Sequence, residues 1–504
     1  MASQKLKAEA GVVDHIENSA DDVESSKPEV VAPIPGSQDP NNPKNWPNSQ
    51  KYWTFGTVCF FSFLATVNTS KFVVAIAALT KEFHEGQVRT GYLVSFSVLA
   101  LGLGNFVWVA MLRLCGRRPT FLLAILCLAV FNCWSAFAKS YNSLMGATVL
   151  AGLAAGGGEA PISTVVADLF HAQERGAMMM LFHVALSCGF FVGPAINAAI
   201  AEFVGWRWLC GWIAVAALAN FAVGLFTIHE TAYVHRIVDP DTSTYTNSSQ
   251  YPPKKSFAQQ LSLTSGYNHD MKFWVVIWNM ISIITYPSVL WAGLTIGAFV
   301  GWNIVVQVTA ARFLVIAPYH FTLWKVGVFN FAGLIGALIA MFFGGRLIDI
   351  ISNRWAARNN GVRVPEFRLP PFLIPSVIGP MGIVAFGLCL AHKTHWIGPA
   401  FGHAMQGFGL TAASNVLVTY NVDSYPLLAG EVLVVVFLVR GVTGCLLSLY
   451  AYDWVLAEGL ANTFGQMAAI QYFFVLFVAV FYFMGSRIRR WTLTYGPSRH
   501  VGAY

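Results

Sequence analysis

A single acid interrupts the apolar run from 143 to 167: Glu159, set in Gly156-Gly157-Gly158-Glu159-Ala160-Pro161. At the centre of a membrane helix a charged side chain costs ~2.5–3.5 kcal/mol on insertion scales, so it must face protein or water. A carboxyl held there can carry a proton or bind a substrate group. The competing reading is a structural acid fixed by hydrogen bonds from a neighbouring helix. The glycines let another helix approach closely, and Pro161 removes a backbone donor and locally opens the helix.

Arg440 is the matching base, in the run from 431 to 451. Counted from the nearer ends of their runs, Glu159 lies about eight residues in and Arg440 about ten, hence at similar depth. One use for them is mutual attraction in one state of a cycle, lost when Glu159 is protonated or substrate binds. Bonding of Arg440 to carbonyls or polar side chains of its own half is the commoner fate of such a group, and the one expected here.

Histidine changes charge near neutral pH, which makes His183 and His403 candidate proton shuttles; a lone histidine among apolar residues is more often simply hydrogen-bonded. Asn303, Gln307, Asn330, Gln406 and Asn415 are candidate cavity-lining groups, with interhelical bonding as their competing use. Lys71 lies near the end of the first apolar run and is expected to snorkel to the membrane surface; a place in the proton or substrate pathway is its second reading.

Long helices must position these groups. The chain of 504 residues is 56% hydrophobic and only 11% charged, with a mean hydropathy of +0.57. Soluble chains carry roughly a quarter charged residues. Apolar runs lie near 52–78, 90–112, 119–138, 143–167, 177–203 and 208–228, then near 287–309, 327–348, 371–391, 397–420, 431–451 and 465–485. Each is long enough at ~1.5 Å per residue to cross ~30 Å of hydrocarbon, where only a helix satisfies its own backbone. No run alternates polar and apolar positions as a barrel strand does. The sequence therefore predicts an all-α integral membrane protein with twelve transmembrane helices in two six-helix halves.

The domain reading follows from these runs. It comprises a polar tail at 1–50 expected to be disordered, a six-helix bundle at 51–229, a linker at 230–272, a second bundle at 273–486 and a tail at 487–504. The first run is expected to act as an uncleaved signal anchor. The apolar segment 273–286 precedes Pro287 and reads as an interfacial lead-in helix. Bases gather in alternate loops, at Arg113, Arg117, Arg118, Arg175, Arg354, Arg358, Arg363 and Arg368, which makes those loops and both termini cytoplasmic. That distribution also accounts for the net charge of +7 without nucleic acid. The eight cysteines form no CxxC pair, and no disulfide framework or metal site is expected.

The halves echo one another. Val109 to Pro119, containing Arg113 and Gly116-Arg117-Arg118, is answered by Gly345-Arg346 with Asp349 and Arg354. Asp168 with Glu174-Arg175 is answered by Asp423 with Glu431. Opposite charges at these helix ends suit a cytoplasmic gate in which Arg117 and Arg118 meet Asp168 and Glu174. A rim pair in water is worth only ~0–1 kcal/mol, which fits a gate better than a clamp.

With these motifs the sequence resembles the major facilitator superfamily, and within it the fungal drug:proton antiporter group with twelve spans. The resemblance is carried by Asn42-Pro43-Lys44-Asn45-Trp46-Pro47, Gly116-Arg117-Arg118-Pro119, Ala167-Asp168-Leu169-Phe170 with Glu174-Arg175-Gly176, Gly189-x3-Gly193-Pro194 and Pro365-Glu366-x-Arg368-Leu369, over about residues 40–490. The group's loop motif begins Gly-x-x-x-Asp where this chain has Val109 and Arg113, and its fourth-span arginine is replaced by Thr148. Gly189, Gly193 and Pro194 resemble its antiporter motif, with Asn197 and Ala198 in place of the trailing glycines. They are expected to pack tightly against the other half and seal the cavity against proton leak.

The resemblance implies a monomeric transporter in the plasma membrane, with the vacuolar membrane as the alternative. It implies export of a drug, toxin or secondary metabolite driven by the proton gradient, with no cofactor. No Gly-x-x-x-x-Gly-Lys-Ser/Thr loop is present, and no nucleophile–base constellation appears, so an enzyme is not expected. Proton-coupled uptake of an organic cation or polyamine is the alternative within transport, and a non-transporting nutrient receptor the alternative outside it.

Overall fold

The computed structural model describes residues 41–231, 259, 273–359, 364–425 and 428–495. The predicted tail at 1–50 up to residue 40, most of the linker at 230–272, and the end of the final tail lie outside these. Residues 41–46 group with a separate unit and wind a 3-10 turn, Pro43–Asn45, in which the Lys44 amide donates to the Asn42 side chain. The main unit's described residues form helices joined by turns, with no strand among them.

The first half runs α1 (Asn48–Ser70), a short α2 (Ile76–Phe83), α3 (Gln87–Cys115), α4 (Arg117–Ala136), α5 (Tyr141–Ala155), α6 (Ala160–Leu169), α7 (Ala172–Phe203) and α8 (Arg207–Thr227). The second runs from α9 (Phe273–Ser282) through α10 (Pro287–Phe313), α11 (Leu323–Phe329), α12 (Phe331–Met341), α13 (Leu347–Arg358), α14 (Leu373–Ala391), α15 (Ile397–Ser424), α16 (Ala429–Glu458) and α17 (Leu460–Tyr495). Here α5 with α6 forms the fourth span and α11 with α12 the eighth, giving twelve. With an even number of crossings, residues 48 and 495 lie on one face, called here the terminus-bearing face. The helix α17 continues to Tyr495, past the boundary expected at residue 486.

Ten of the twelve are long and apolar enough to be membrane spans by composition. The exceptions are α1 and α15. Both carry polar side chains turned into the bundle: Ser62, Thr66, Asn68 and Thr69 in α1, and His403, Gln406, Thr411 and Asn415 in α15, all buried. Several hydroxyls return to carbonyls one turn back, Thr69 to Thr66 at 2.7 Å and Thr419 to Asn415 at 2.7 Å, which removes most of the cost of burying them. At the other extreme α17 is the least buried span and shows Phe473, Leu476 and Phe483 outward, as a lipid-facing helix must.

Close backbone contacts fix the helix pairs near the site. A Cβ on Gly156 would meet the Leu101 carbonyl of α3 at 2.7 Å, and one on Gly158 would meet Ala65 of α1 at 2.9 Å. The predicted packing of Gly189 and Gly193 against the other half is not what forms. Both lie against α1 of their own half, on Phe63, Thr66, Val67 and Ser70, and α7 passes through Pro194 without interruption. The small-residue face therefore binds the first half together, because α1 offers the matching groove of Thr, Val and Ser side chains.

Candidate functional site

The fourth span breaks where the sequence placed its glycines. Gly156–Gly158 form a 3-10 turn, Glu159 leaves helical geometry at φ −122°, ψ −95°, and α6 restarts with Pro161 in its first turn. The break turns Glu159 to the seam between the halves, where it is fully buried. One carboxylate oxygen accepts from Nδ2 of Asn105 on α3 at 3.2 Å, and the other pairs with Nη2 of Arg440 on α16. Asn105 Oδ1 also accepts from the Ala160 amide at 2.9 Å, which joins α3 to the start of α6.

The expectation that Arg440 would find partners in its own half is thus overturned: its ion pair reaches across the seam. Its guanidinium also lies 4.7 Å from the centre of the Phe437 ring. A pair this deeply buried costs desolvation on both sides and survives only with further hydrogen bonds, here from Asn105. Asn105 was missed in the sequence, where an amide within an apolar run carries no charge to announce itself.

Beside Arg440 the halves enclose a small cavity of about 20 Å³, room for roughly one water. His183, Ser187, Thr411 and Ser414 give it polar points, and Phe190 and Phe437 are among its apolar walls. Ser187 of α7 and Thr411 of α15 bond across it at 3.0 Å. Of the predicted amides none lines this cavity. Gln307 donates to the Phe190 carbonyl at 2.8 Å and Gln406 to the Phe299 carbonyl at 3.0 Å, so both serve as interhelical bonds. Asn330 donates to Val326 in its own span at 3.1 Å, Asn303 is buried with neither amide atom partnered, and Asn415 is buried in α15. His403 lies elsewhere on the seam, in an aromatic box.

Lys71 corrects its expected snorkelling. It is wholly buried, donating to Asn68 at 3.0 Å and Asn132 at 2.8 Å, with the Phe72 ring 5.0 Å away. The chain folds inward through a turn after α1, so the long side chain points into the first half instead of to the surface.

On the terminus-bearing face a vestibule of about 520 Å³ opens between the halves, lined by Arg113, Arg117 and Thr164 from one and Arg368, Asp423 and Glu431 from the other. Its only charge pair across the seam, among the described residues, is Arg113 with Glu431. Of the predicted gate contacts, Arg117 does meet Asp168, at 3.1 Å and within the first half; Arg368 meets Asp423 at 2.5 Å within the second. Arg118 turns away to the Leu225 carbonyl at 2.7 Å, and Glu174 is exposed at the start of α7. The side chains of Arg175 and Asp349 lie outside the described residues, and Arg354 is exposed.

Gly116 makes the tight entry to α4 at φ +99°, a conformation that favours glycine. Glu230, assigned to the linker by composition, instead caps α4, accepting from the amides of Arg117 at 3.0 Å and Arg118 at 3.2 Å. Burial holds the neighbouring His229 imidazole below its ordinary range, with Arg118 adding to that and the Thr227 carbonyl opposing.

On the opposite face no ion pair joins the halves, among the described residues, and a hollow of about 190 Å³ lies between α3, α10 and α16, lined by Gln87, Ser95, Thr309 and Arg312. Ser95 bonds Ser448 at 2.8 Å, Glu202 accepts from the Trp324 amide at 2.6 Å, and Gly327 rides on Ala195 and Ala198. Two six-helix halves thus meet over a buried charge pair, with the larger hollow on the terminus-bearing face and the smaller on the other.

Comparison with known proteins agrees. The family description of the Major Facilitator Superfamily matches residues 58–448. The chain belongs to that superfamily. An uncharacterised MFS-type transporter of Schizosaccharomyces pombe is 25% identical, the match covering 92% of this chain and 88% of the relative. The efflux pump vrtL of Penicillium aethiopicum is 27% identical over 82% of this chain and 81% of its own. The xylose transporter XylE of E. coli, in a partially occluded inward-open conformation, shares the fold with a TM-score of 0.60 at 14% identity, over 86% of this chain and 99% of that one. As a major facilitator the chain is a multi-pass membrane carrier and not an enzyme.

Proposed function

We propose that this facilitator exports a small organic compound in exchange for protons, with its termini and vestibule on the cytoplasmic side of the plasma membrane. The observation that carries the reading is the buried Glu159–Arg440 pair, which joins the two halves beside the central cavity. The name efflux pump borne by a fungal relative supports the direction, and the basic loops support the orientation.

The pair offers a way to make proton and substrate exclude one another. With Glu159 ionised, Arg440 is held against it and the cavity beside it is free to widen around a compound with an apolar body and oxygen acceptors. With Glu159 protonated, the attraction is lost and Arg440 is released toward the cavity, where it competes with substrate. Each ligand then drives the halves apart or together only through its different affinity for the two states. Arg440 is the charge that lines the cavity, and both Glu159 oxygens are engaged, which supports uptake of an organic cation less well.

The test uses purified protein in liposomes loaded with a metabolite extract and given an inward proton gradient. Mass spectrometry should find compounds leaving the wild-type vesicles and staying in Glu159→Gln vesicles. Loss of none would refute export, net accumulation would favour uptake, and no flux in either direction would leave the receptor reading.

A further inference from the structure

His403 is fully buried, and neither ring nitrogen has a hydrogen-bond partner. Its ring lies parallel to Phe329 of α11, 6° apart with centroids at 5.8 Å, and edge-on to Phe191 of α7 at 5.5 Å. Gly333 closes the box: a Cβ there would meet His403 Nε2 at 2.9 Å and would clash with Phe191. Two walls of the box therefore come from the second half and one from the first. The charged and histidine side chains described on the surrounding helices are Glu174, His183 and Glu202 on α7, Lys325 on α11, Asp423 on α15 and Arg312 on α10; α12 and α14 carry none. None of them hydrogen-bonds to the ring.

A phenyl ring would fill this box as well, and without two orphaned polar atoms. What imidazole adds is the capacity to take a proton. The closed box cannot hold the charged form well: an imidazolium would present two N–H donors with no acceptor in an apolar enclosure. The Phe191 wall belongs to the same seam that Gly327 and the Glu202–Trp324 bond close, on the face away from the termini. Separation of that seam takes Phe191 from the ring and admits water.

We propose that His403 is a proton-binding site reached from the opposite face, and that this face closes only after the proton has left it. The idea rests on the alternating-access reading above. Under an inward proton gradient, an occupied His403 holds the entrance open, and closure waits on delivery of the proton deeper into the protein. The device is separate from Glu159, which lies on the α3–α6–α16 side of the seam.

The experiment measures distances between spin labels at positions 203 and 316, one in each half and both exposed on the opposite face. Labels are carried on p-acetylphenylalanine in the full chain in nanodiscs, so the native cysteines remain and no substrate is needed. In wild type the ratio of open to closed distances should rise about tenfold from pH 8 to pH 5, since up to a factor of ten per pH unit is available from one differentially bound proton. In His403→Phe and His403→Leu it should stay near its pH 8 value. An open population that ignores pH, or that responds equally in both variants, overturns the proposal while leaving alternating access intact. A single closed distance at every pH overturns both.

Discussion

The two ends of the seam between the halves are closed by different physics. On the terminus-bearing face Arg113 and Glu431 meet beside a hollow of about 520 Å³, with Arg113 partly in water. On the opposite face Gly327 lies on Ala195 and Ala198, Phe191 on His403, and the polar contacts are single hydrogen bonds. The first closure is loose and electrostatic; the second is steric where α7 meets α11 and α15, beside a hollow of about 190 Å³ between α3, α10 and α16. A sterically packed contact loses little to salt but fails when volume is added, whereas a charged rim tolerates volume and weakens when screened. The difference assigns each face its own way of being forced open.

The largest effect should come from between them. Arg440→Ala strands the Glu159 carboxylate in a buried site, a loss of about 3–5 kcal/mol for breaking such a pair. It should appear as a marked fall in melting temperature in nanodiscs together with loss of transport. The double variant Glu159→Gln, Arg440→Gln should melt above the single Arg440→Gln protein; simple additivity would deny the coupling.

Next, Gly327→Leu overpacks the α7–α11 contact at about 1–3 kcal/mol. Labels at positions 203 and 316 should show the opposite face shifted toward open, insensitively to salt. If the distances are unchanged, the glycine contact is not what closes that face.

A smaller shift is expected at the charged rim. Arg113→Ala should favour the open vestibule by about 1 kcal/mol, as for a partly exposed pair. High salt should mimic it in wild type, and the swap Arg113→Glu with Glu431→Arg should restore the balance. Fluorescence of a dye in the vestibule would read all three. Last, Arg117→Ala removes a pair that lies within one half, so at ~0–1 kcal/mol it should lower melting slightly and leave the balance between faces unmoved. A change in that balance would make Arg117 part of the gate after all.

The spans were legible because hydrocarbon imposes length and apolarity on each helix separately. Glu159 was legible for the same reason: an acid in such a run stands out. Its partner was within reach of depth counting, but helix rotation decides whom a side chain meets, and rotation leaves no mark in one sequence. Lys71 shows the limit. Its position near a helix end suggested the surface, and only the inward turn after α1 sends it to Asn132. Arg113 shows the converse: expected among the charges of the cytoplasmic gate, it could be given its partner Glu431 only once the helices were placed. Glu230 was assigned by the composition of its neighbourhood, while its role in capping α4 depends on where α8 delivers it.

The polar character of α1 has a consequence for how the protein is made. A segment with so many hydroxyl and amide groups partitions weakly into lipid when it leaves the ribosome, because each buried polar group must find a partner before hydrocarbon is tolerable. Those partners are on helices translated later, Gly158 for Ser62 and Asn132 for Lys71. α1 is made before the helices that shelter it and is therefore among the last of this bundle to settle.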